Sequence, residues 1–170
     1  VSEAALDSQP PLIGGGASNG LIPEDGPQTL DAAILSESHF VTPGYFRVIG
    51  LPLVAGRAFA ADDVRAAPLV MIVNETLARR AFGADGPIGK RIACCEGGPA
   101  RPSWKTIVGV VTDVRTRGPA SEVVPEFYVP LAQLPDEAWS WIQNTLTVVV
   151  RPVSGDPAAL APVIRDAVRR

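Results

Sequence analysis

Histidine occurs once in this 170-residue chain, at position 39, and cysteine twice, at the adjacent positions 94 and 95. A hydrolytic triad needs a nucleophile, a base and an orienting acid. His39 stands in a strand-like stretch between Ser38 and Phe40, where a lone histidine is more often structural than catalytic, and there is no Gly-x-Ser-x-Gly turn. A zinc site needs three or four Cys, His or carboxylate ligands at suitable spacing, and Cys94-Cys95 with one distant histidine falls short. Adjacent cysteines also cannot staple distant parts of the chain. A trans peptide separates their Cα atoms by about 3.8 Å, whereas ordinary disulfides prefer roughly 5.5–6 Å. The pair therefore reads as two thiols on an exposed hairpin tip or as a strained ring. It leaves the redox state and the compartment open, and a thiol enzyme using Cys95 is the weak enzymatic alternative.

No apolar run approaches the roughly 20 residues that span a bilayer, and no basic start followed by an apolar stretch marks a signal peptide. The chain opens inside an apolar pattern, Val1-Ser2-Glu3-Ala4-Ala5-Leu6, and closes at Arg170 inside a helical one, which reads as an excerpt of something longer. The net charge is −3. Apart from Arg79-Arg80 and Arg169-Arg170 the basic residues are scattered, so nucleic acid is excluded as a partner. The stretch Gly83-Ala84-Asp85-Gly86-Pro87-Ile88-Gly89-Lys90 fails as a phosphate-binding loop. Ala84 stands where glycine is required, Arg91 follows the lysine, and the stretch follows a helix and not a strand. Gly14-Gly15-Gly16 reads as a turn. Glu24-Asp25 and Asp62-Asp63 read as solvated carboxylates in polar loops. Catalytic, cofactor-binding and metal-ligating residues are all expected to be absent.

Apolar residues make up 46% of the chain, enough for a packed core, and 17 prolines and 16 glycines punctuate it into short elements. A strand is predicted near Val1–Leu6, then a loop over 9–20, then an extended segment over 30–41 in which Ala33, Leu35 and His39 alternate with Ser36 and Ser38. Thr42-Pro43-Gly44 starts a short helix, with Thr42 as cap and Pro43 at its first position, and Gly50 stops it. The continuous run Leu69-Val70-Met71-Ile72-Val73 predicts a strand buried on both faces. Asn74 then caps a helix over 75–82, with Leu77, Ala78, Ala81 and Phe82 on its inner face. Residues 90–93 and 104–114 form a hairpin with its tip over 94–103. Residues 126–130 form a strand, and 131–143 have no assignment. Leu146, Val148 and Val150 alternate with Thr145 and Thr147 in a last strand. A final helix is capped by Asp156 and begins at Pro157. Its buried stripe is Leu160, Val163, Ile164, Ala167 and Val168, and Pro162 kinks its early turns.

The runs Val41-Thr42-Pro43-Gly44-Tyr45-Phe46-Arg47-Val48-Ile49-Gly50-Leu51-Pro52-Leu53, Gly56-Arg57-Ala58-Phe59 and Val70-Met71-Ile72-Val73-Asn74-Glu75-Thr76-Leu77-Ala78-Arg79-Arg80 appear in that order. Asp85-Gly86-Pro87-Ile88-Gly89-Lys90-Arg91, Trp104-Lys105-Thr106-Ile107-Val108-Gly109-Val110-Val111, Pro125-Glu126-Phe127-Tyr128-Val129-Pro130 and Gly155-Asp156-Pro157-Ala158-Ala159-Leu160 follow. From about residue 12 onward this order resembles the MacB-like periplasmic core domain of ABC transporter permeases (FtsX/MacB type), nearest to the second core domain of the duplicated orphan, or ADOP-type, permeases. The resemblance implies an α/β (α+β) fold in two parts. One is a porter-like βα layer from 1–41 and 142–170, incomplete at its N-terminal side and so exposing an edge or an apolar patch. The other is a small α/β subdomain of mixed sheet and short helices inserted over 42–141.

The same resemblance implies an extracytoplasmic, periplasmic domain of a cytoplasmic-membrane protein, with no catalytic residues and no cofactor. ATP would be handled by a separate nucleotide-binding domain or subunit. The implied partners are the transmembrane helices of the same permease, the cytoplasmic ABC ATPase acting indirectly, and a periplasmic adaptor or second core domain. The domain would couple helix movement to export or signalling, a mechanotransmission role. The alternative is a ligand- or protein-binding module with a cleft between the two parts and Tyr128, Trp139 and Trp141 as contacts. Trp and Tyr are frequent anchors at interfaces, although aromatics are more often core. The Cys94-Cys95 pair and the Trp139/Trp141 segment have no counterpart in the family pattern.

Overall fold

The computed structural model describes residues 3–13, 17–94 and 102–168. The expected Gly14-Gly15-Gly16 turn, most of the hairpin tip with Cys95, and Arg169-Arg170 lie outside the described residues. Among the described residues nine strands are present: β1 (Glu3–Asp7), β2 (Ser18–Pro23), β3 (Ile34–Val41), β4 (Leu53–Gly56), β5 (Val70–Asn74), β6 (Arg91–Cys94), β7 (Ser103–Val111), β8 (Glu126–Pro130) and β9 (Thr147–Arg151). The α-helices are α1 (Tyr45–Ile49), α2 (Glu75–Phe82), α3 (Asp136–Ile142) and α4 (Ala161–Val168). The fold is a mixed α/β architecture, as the sequence pattern predicts.

The sheet runs β2-β6-β7-β5-β8-β3-β1-β9, with β4 on β7. β2 pairs with β3 over Ser18–Leu21 and with β6 over Ile22 and Pro23, so six strands close a circuit of pairing. β5 lies between β7, parallel to it, and β8, antiparallel to it. All five of its residues are buried, which is why its apolar run is continuous. Alternation along β5 divides the core in two. Met71 and Val73 pack with Phe40, Ile107, Phe127, Leu77 of α2 and Ile142 of α3. Val70 and Ile72 pack with Val41, Val111, Tyr128 and Tyr45, Phe46 and Val48 of α1. β2 and β3 thus share a sheet with β5 to β8, while β1 and β9 form an antiparallel ribbon joined to β3 at Asp7↔Val41.

The strand–helix unit forms as predicted: the Asn74 side chain accepts the Leu77 N–H at 2.9 Å, and Gly83 follows the helix. The β6–β7 hairpin pairs from Arg91↔Thr106 to Cys94↔Ser103. Several expectations are corrected. The end of the loop expected over 9–20 is strand: residues 18–20 open β2, whose Leu21 is fully buried. β4, for which the sequence pattern gives no strand, is an exposed strand on β7. β3 does not keep the expected alternation of Ala33, Leu35 and His39 against Ser36 and Ser38: Leu35 is 68% exposed, whereas every residue from Ser36 to Val41 is buried, on both faces of the strand. Thr42 does not cap α1. Gly44 occupies the cap in a left-handed conformation, and the Thr42 hydroxyl instead accepts the Leu6 N–H at 2.9 Å. Residues 131–143 contain a 3-10 turn and α3.

At the C-terminal end Asp156 caps through the Ala158 N–H as predicted. The chain then makes a 3-10 turn over Pro157–Leu160 before α4, so Pro162 falls in the first turn of the α-helix, where its missing N–H is harmless. Of the expected buried stripe, Val163 is 63% exposed and Ala167 is exposed, while Leu160 and Ile164 are half-buried. β9 ends the sheet order and Val148 on it is 39% exposed, so an open edge with apolar residues is present on this side.

Candidate functional site

Three strands bring ionisable side chains together on the α1 face of the sheet. In the parallel β3–β8 ladder Glu37 stands opposite Glu126 and His39 opposite Tyr128. β1 delivers Asp7 beside them. Asp7 Oδ2 lies 3.3 Å from His39 Nδ1, and Asp7 Oδ1 accepts the Gln9 N–H at 2.9 Å. Asp7, Glu37, His39, Glu126 and Tyr128 are all buried, none more than 5% exposed. The His39 and Tyr128 rings stack with centroids 4.7 Å apart, and Tyr45 of α1 closes the face above them.

The carboxylates are partly satisfied. Thr116 Oγ1 and the Tyr128 hydroxyl each donate to Glu126 at 2.8 Å, and Arg117 Nε donates to Glu37 Oε1 at 2.7 Å. Burial pushes the Glu126 carboxyl above its usual range, against the opposing pull of His39 and of the Thr116 and Tyr128 hydrogen bonds. Burial first, then the neighbouring carboxylates, raise both the Tyr45 and the Tyr128 phenols, so both stay neutral donors. His39 Nε2 has no hydrogen-bond partner although the ring is 1% exposed. Glu37, His39 and Glu126 each offer a ligand atom within 4.8 Å of the others.

A second locus is a groove of about 740 Å³ lined by Arg65, Leu69, Gln133, Pro135, Ala138 and Trp141. Trp141 is 48% exposed and sets its ring edge-on to Phe40, with centroids 5.9 Å apart. Trp139, on the same helix, is 36% exposed. The structure does not bring the three predicted contact residues together. Tyr128 is 2% exposed and belongs to the buried polar cluster, so it offers no surface to a ligand. Cys94 is buried on β6.

His39 was singled out from the sequence; Asp7, Glu37, Tyr45, Thr116, Arg117 and Glu126 were not. Their signal is a period of two, Glu37-x-His39 on one strand and Glu126-x-Tyr128 on another, which places polar groups on one face of otherwise apolar strands.

A family model described as MacB-like periplasmic core domain matches residues 16–167. Among solved structures, the periplasmic region of MacB from Actinobacillus actinomycetemcomitans is similar with a TM-score of 0.67 at 16% identity, covering 99% of this chain and 66% of that one. A domain of a permease protein from Porphyromonas gingivalis gives 0.63 at 21% identity, over 100% of this chain and 70% of that one. The extracellular domain of the ABC-type transporter YknZ from Gram-positive bacteria gives 0.62 at 18%, over 99% and 76%. The chain therefore spans just under two thirds of the length of the first of these. Curated proteins yielded no match.

Proposed function

The chain belongs to the MacB-like periplasmic core domain family, and from that premise we propose that it is a non-catalytic element coupling the transmembrane helices of an ABC-type permease to events outside the membrane. One observation carries this reading. β1 and β9 pair residue for residue from Glu3↔Arg151 to Asp7↔Thr147, so the segments leading to the two ends of the chain lie side by side in one ribbon. Three contacts clamp that ribbon to α1 and the strand before it. Leu6 N donates to Thr42 Oγ1 at 2.9 Å, Arg47 Nε to Glu3 Oε1 at 3.0 Å, and Arg151 Nε to the Val48 carbonyl at 2.9 Å. Movement delivered to the ribbon by membrane-embedded helices would be passed into the sheet through α1 and the Asp7↔Val41 pair. ATP hydrolysis belongs in this scheme to a separate ATPase, and a periplasmic adaptor or second core domain is the natural recipient of the motion.

The test uses the intact permease. Thr42→Val combined with Arg151→Ala removes two clamps while leaving the β1–β9 ladder. Transport is expected to fall about tenfold, within the usual range of coupling between sites, with ATPase activity retained. Unchanged transport in that variant, or after deletion of the whole domain, overturns the reading.

A binding module is the second reading. The groove beside Trp141 is its support, since an exposed indole next to Leu69, Pro135 and Ala138 offers apolar area flanked by Arg65 and Glu137. A ligand seated there must raise stability. A thermal-shift screen of peptides and small amphiphiles that finds no stabilising compound counts against it.

A further inference from the structure

Glu37 and Glu126 face one another across a parallel ladder with almost no water contact. Like charges directly opposite destabilise a sheet, and buried carboxylates need compensation. Arg117 pairs with Glu37. Asp7 adds a third carboxyl group to the same cluster, so three acids converge where one guanidinium is in contact. The histidine between them is oriented. Asp7 Oδ2 engages His39 Nδ1 at 3.3 Å, and in the tautomer that carries its hydrogen on Nδ1 the other nitrogen, Nε2, holds the lone pair a metal requires. Nε2 has no partner, and a buried acceptor left unpaired costs free energy.

We propose that Glu37, His39 and Glu126 form a buried site for a divalent transition-metal ion, with Asp7 orienting the histidine from behind. The donor set of one imidazole and two carboxylates suits Zn²⁺ or Mn²⁺. Their ligand atoms already lie within 4.8 Å of one another, and a shared ion at roughly 2.0–2.2 Å from each would draw them closer still. The Asp7–His39 contact is the carboxylate–histidine pairing that fixes the tautomer at metal sites. Thr116 and Tyr128 hold the Glu126 oxygens, and Arg117 holds Glu37. A dication supplies the positive charge the cluster is short of. Ligands on β3 and β8, with Asp7 on β1, place the ion where the ribbon joins the sheet, so it would stiffen that junction. The spacing of Cys and His in the sequence excludes such a site only when carboxylates on distant strands are left out of the count.

The 170-residue chain is unfolded with chelator and refolded with or without Zn²⁺, since a closed site loads during folding. Bound metal is measured after gel filtration, together with the melting temperature. About one zinc per chain and a higher melting temperature in the zinc form are expected. His39→Gln and Glu126→Gln are expected to abolish retention, and Asp7→Asn to weaken affinity about 10–100-fold. Refolding with Co²⁺ gives a readout that needs no variant: visible d–d bands without a thiolate charge-transfer band place the ion on nitrogen and oxygen. Zinc far below one equivalent overturns the proposal, and so do undiminished binding in His39→Gln or a thiolate band assigning the metal to Cys94 or Cys95. The cluster is then a hydrogen-bonded knot.

Discussion

The side-chain oxygen of Asn74 accepts the backbone N–H of Glu126 at 3.0 Å and, at the same time, the N–H of Leu77 at 2.9 Å. One fully buried amide thus caps α2 and pins the start of β8, while its nitrogen donates to the Val124 carbonyl at 2.8 Å. Asn74→Ala removes the cap, worth about 1 kcal/mol, and strands buried backbone groups at about 1–3 kcal/mol. A loss of about 3 kcal/mol in urea denaturation is expected. Asn74→Asp keeps the accepting oxygen but cannot donate to Val124, and a smaller loss is expected from it. Equal losses in the two variants would mean that the shared oxygen is not what matters.

Gly109 sits where the β5–β7 register shifts: Met71 pairs with Ile107, but Ile72 pairs with Gly109. A Cβ there would lie 2.4 Å from the Arg57 carbonyl oxygen and 3.1 Å from Ile72 Cγ1. Backbone has to move to admit it, so Gly109→Ala is expected to cost about 3 kcal/mol or more. Gly86 is the contrast. Nothing approaches its position within 4 Å, but its φ is +67°. Gly86→Ala carries only backbone strain, that of φ +67° with ψ 150°, a region essentially reserved for glycine, at about 1–3 kcal/mol. Denaturant midpoints of the two variants check the order.

The β5–α2 unit was legible because every local signal agreed: a β-branched run, an asparagine cap, a helical stripe and a closing glycine. β3 escapes the pattern because burial changes along the strand and not across it: Leu35, on the same face as Glu37 and His39, is exposed near the start, while Ser36, Glu37, Ser38 and His39 are buried on both faces. Apolar pattern marks the buried side only when the interior is apolar, and here the inner face carries the polar cluster. The cluster itself was hidden by distance along the chain. Asp7, Glu37 and Glu126 meet only through the parallel β3–β8 pairing and the β1–β3 contact, and neither pairing is written in local spacing. β2 was lost because Ser18, Asn19, Gly20 and Pro23 are turn-type residues, although the strand closes the ring of six.

Asp63 gives the stability a dependence on acid. Both its oxygens accept from Arg57 at 2.8 Å, and Oδ2 also accepts the Ala60 N–H at 2.8 Å. The Arg57 hydrogen bonds hold its carboxyl below the usual carboxylate range, against the opposing effect of burial. A depressed carboxyl stabilises the fold above its unfolded pKa, and that contribution is lost as pH falls through the folded value. Wild-type stability should therefore drop below the ordinary carboxylate range, roughly pH 4. Asp63→Asn should be less stable at pH 7, by about 1–2 kcal/mol for hydrogen bonds to a charged group whose partner is half exposed, and should show a shallower acid slope. Parallel pH profiles of the two proteins, read by urea midpoint from pH 7 downward, would contradict this role.

Three residues of α3 separate packing from surface. Ile142 is 1% exposed in the cluster with Phe127 and Leu77, Trp141 rests 48% exposed against Phe40, and Trp139 is 36% exposed. Ile142→Ala opens a core cavity and is expected to cost about 2–5 kcal/mol. Trp141→Ala loses one edge-on aromatic contact, worth about 0.5–1.5 kcal/mol, together with the partial burial of its ring. Trp139 is no more exposed than Trp141, so Trp139→Ala is expected to cost a similar amount, about 1 kcal/mol, from the lost burial of its indole. Urea midpoints that place Ile142→Ala well below both tryptophan variants would show that the indoles are not what holds α3 in place. The two tryptophan variants then serve in the intact permease as folded probes. Transport unchanged in both removes the groove from any role in binding, whereas a loss in Trp141→Ala alone, at nearly normal stability, places a contact there that packing cannot explain.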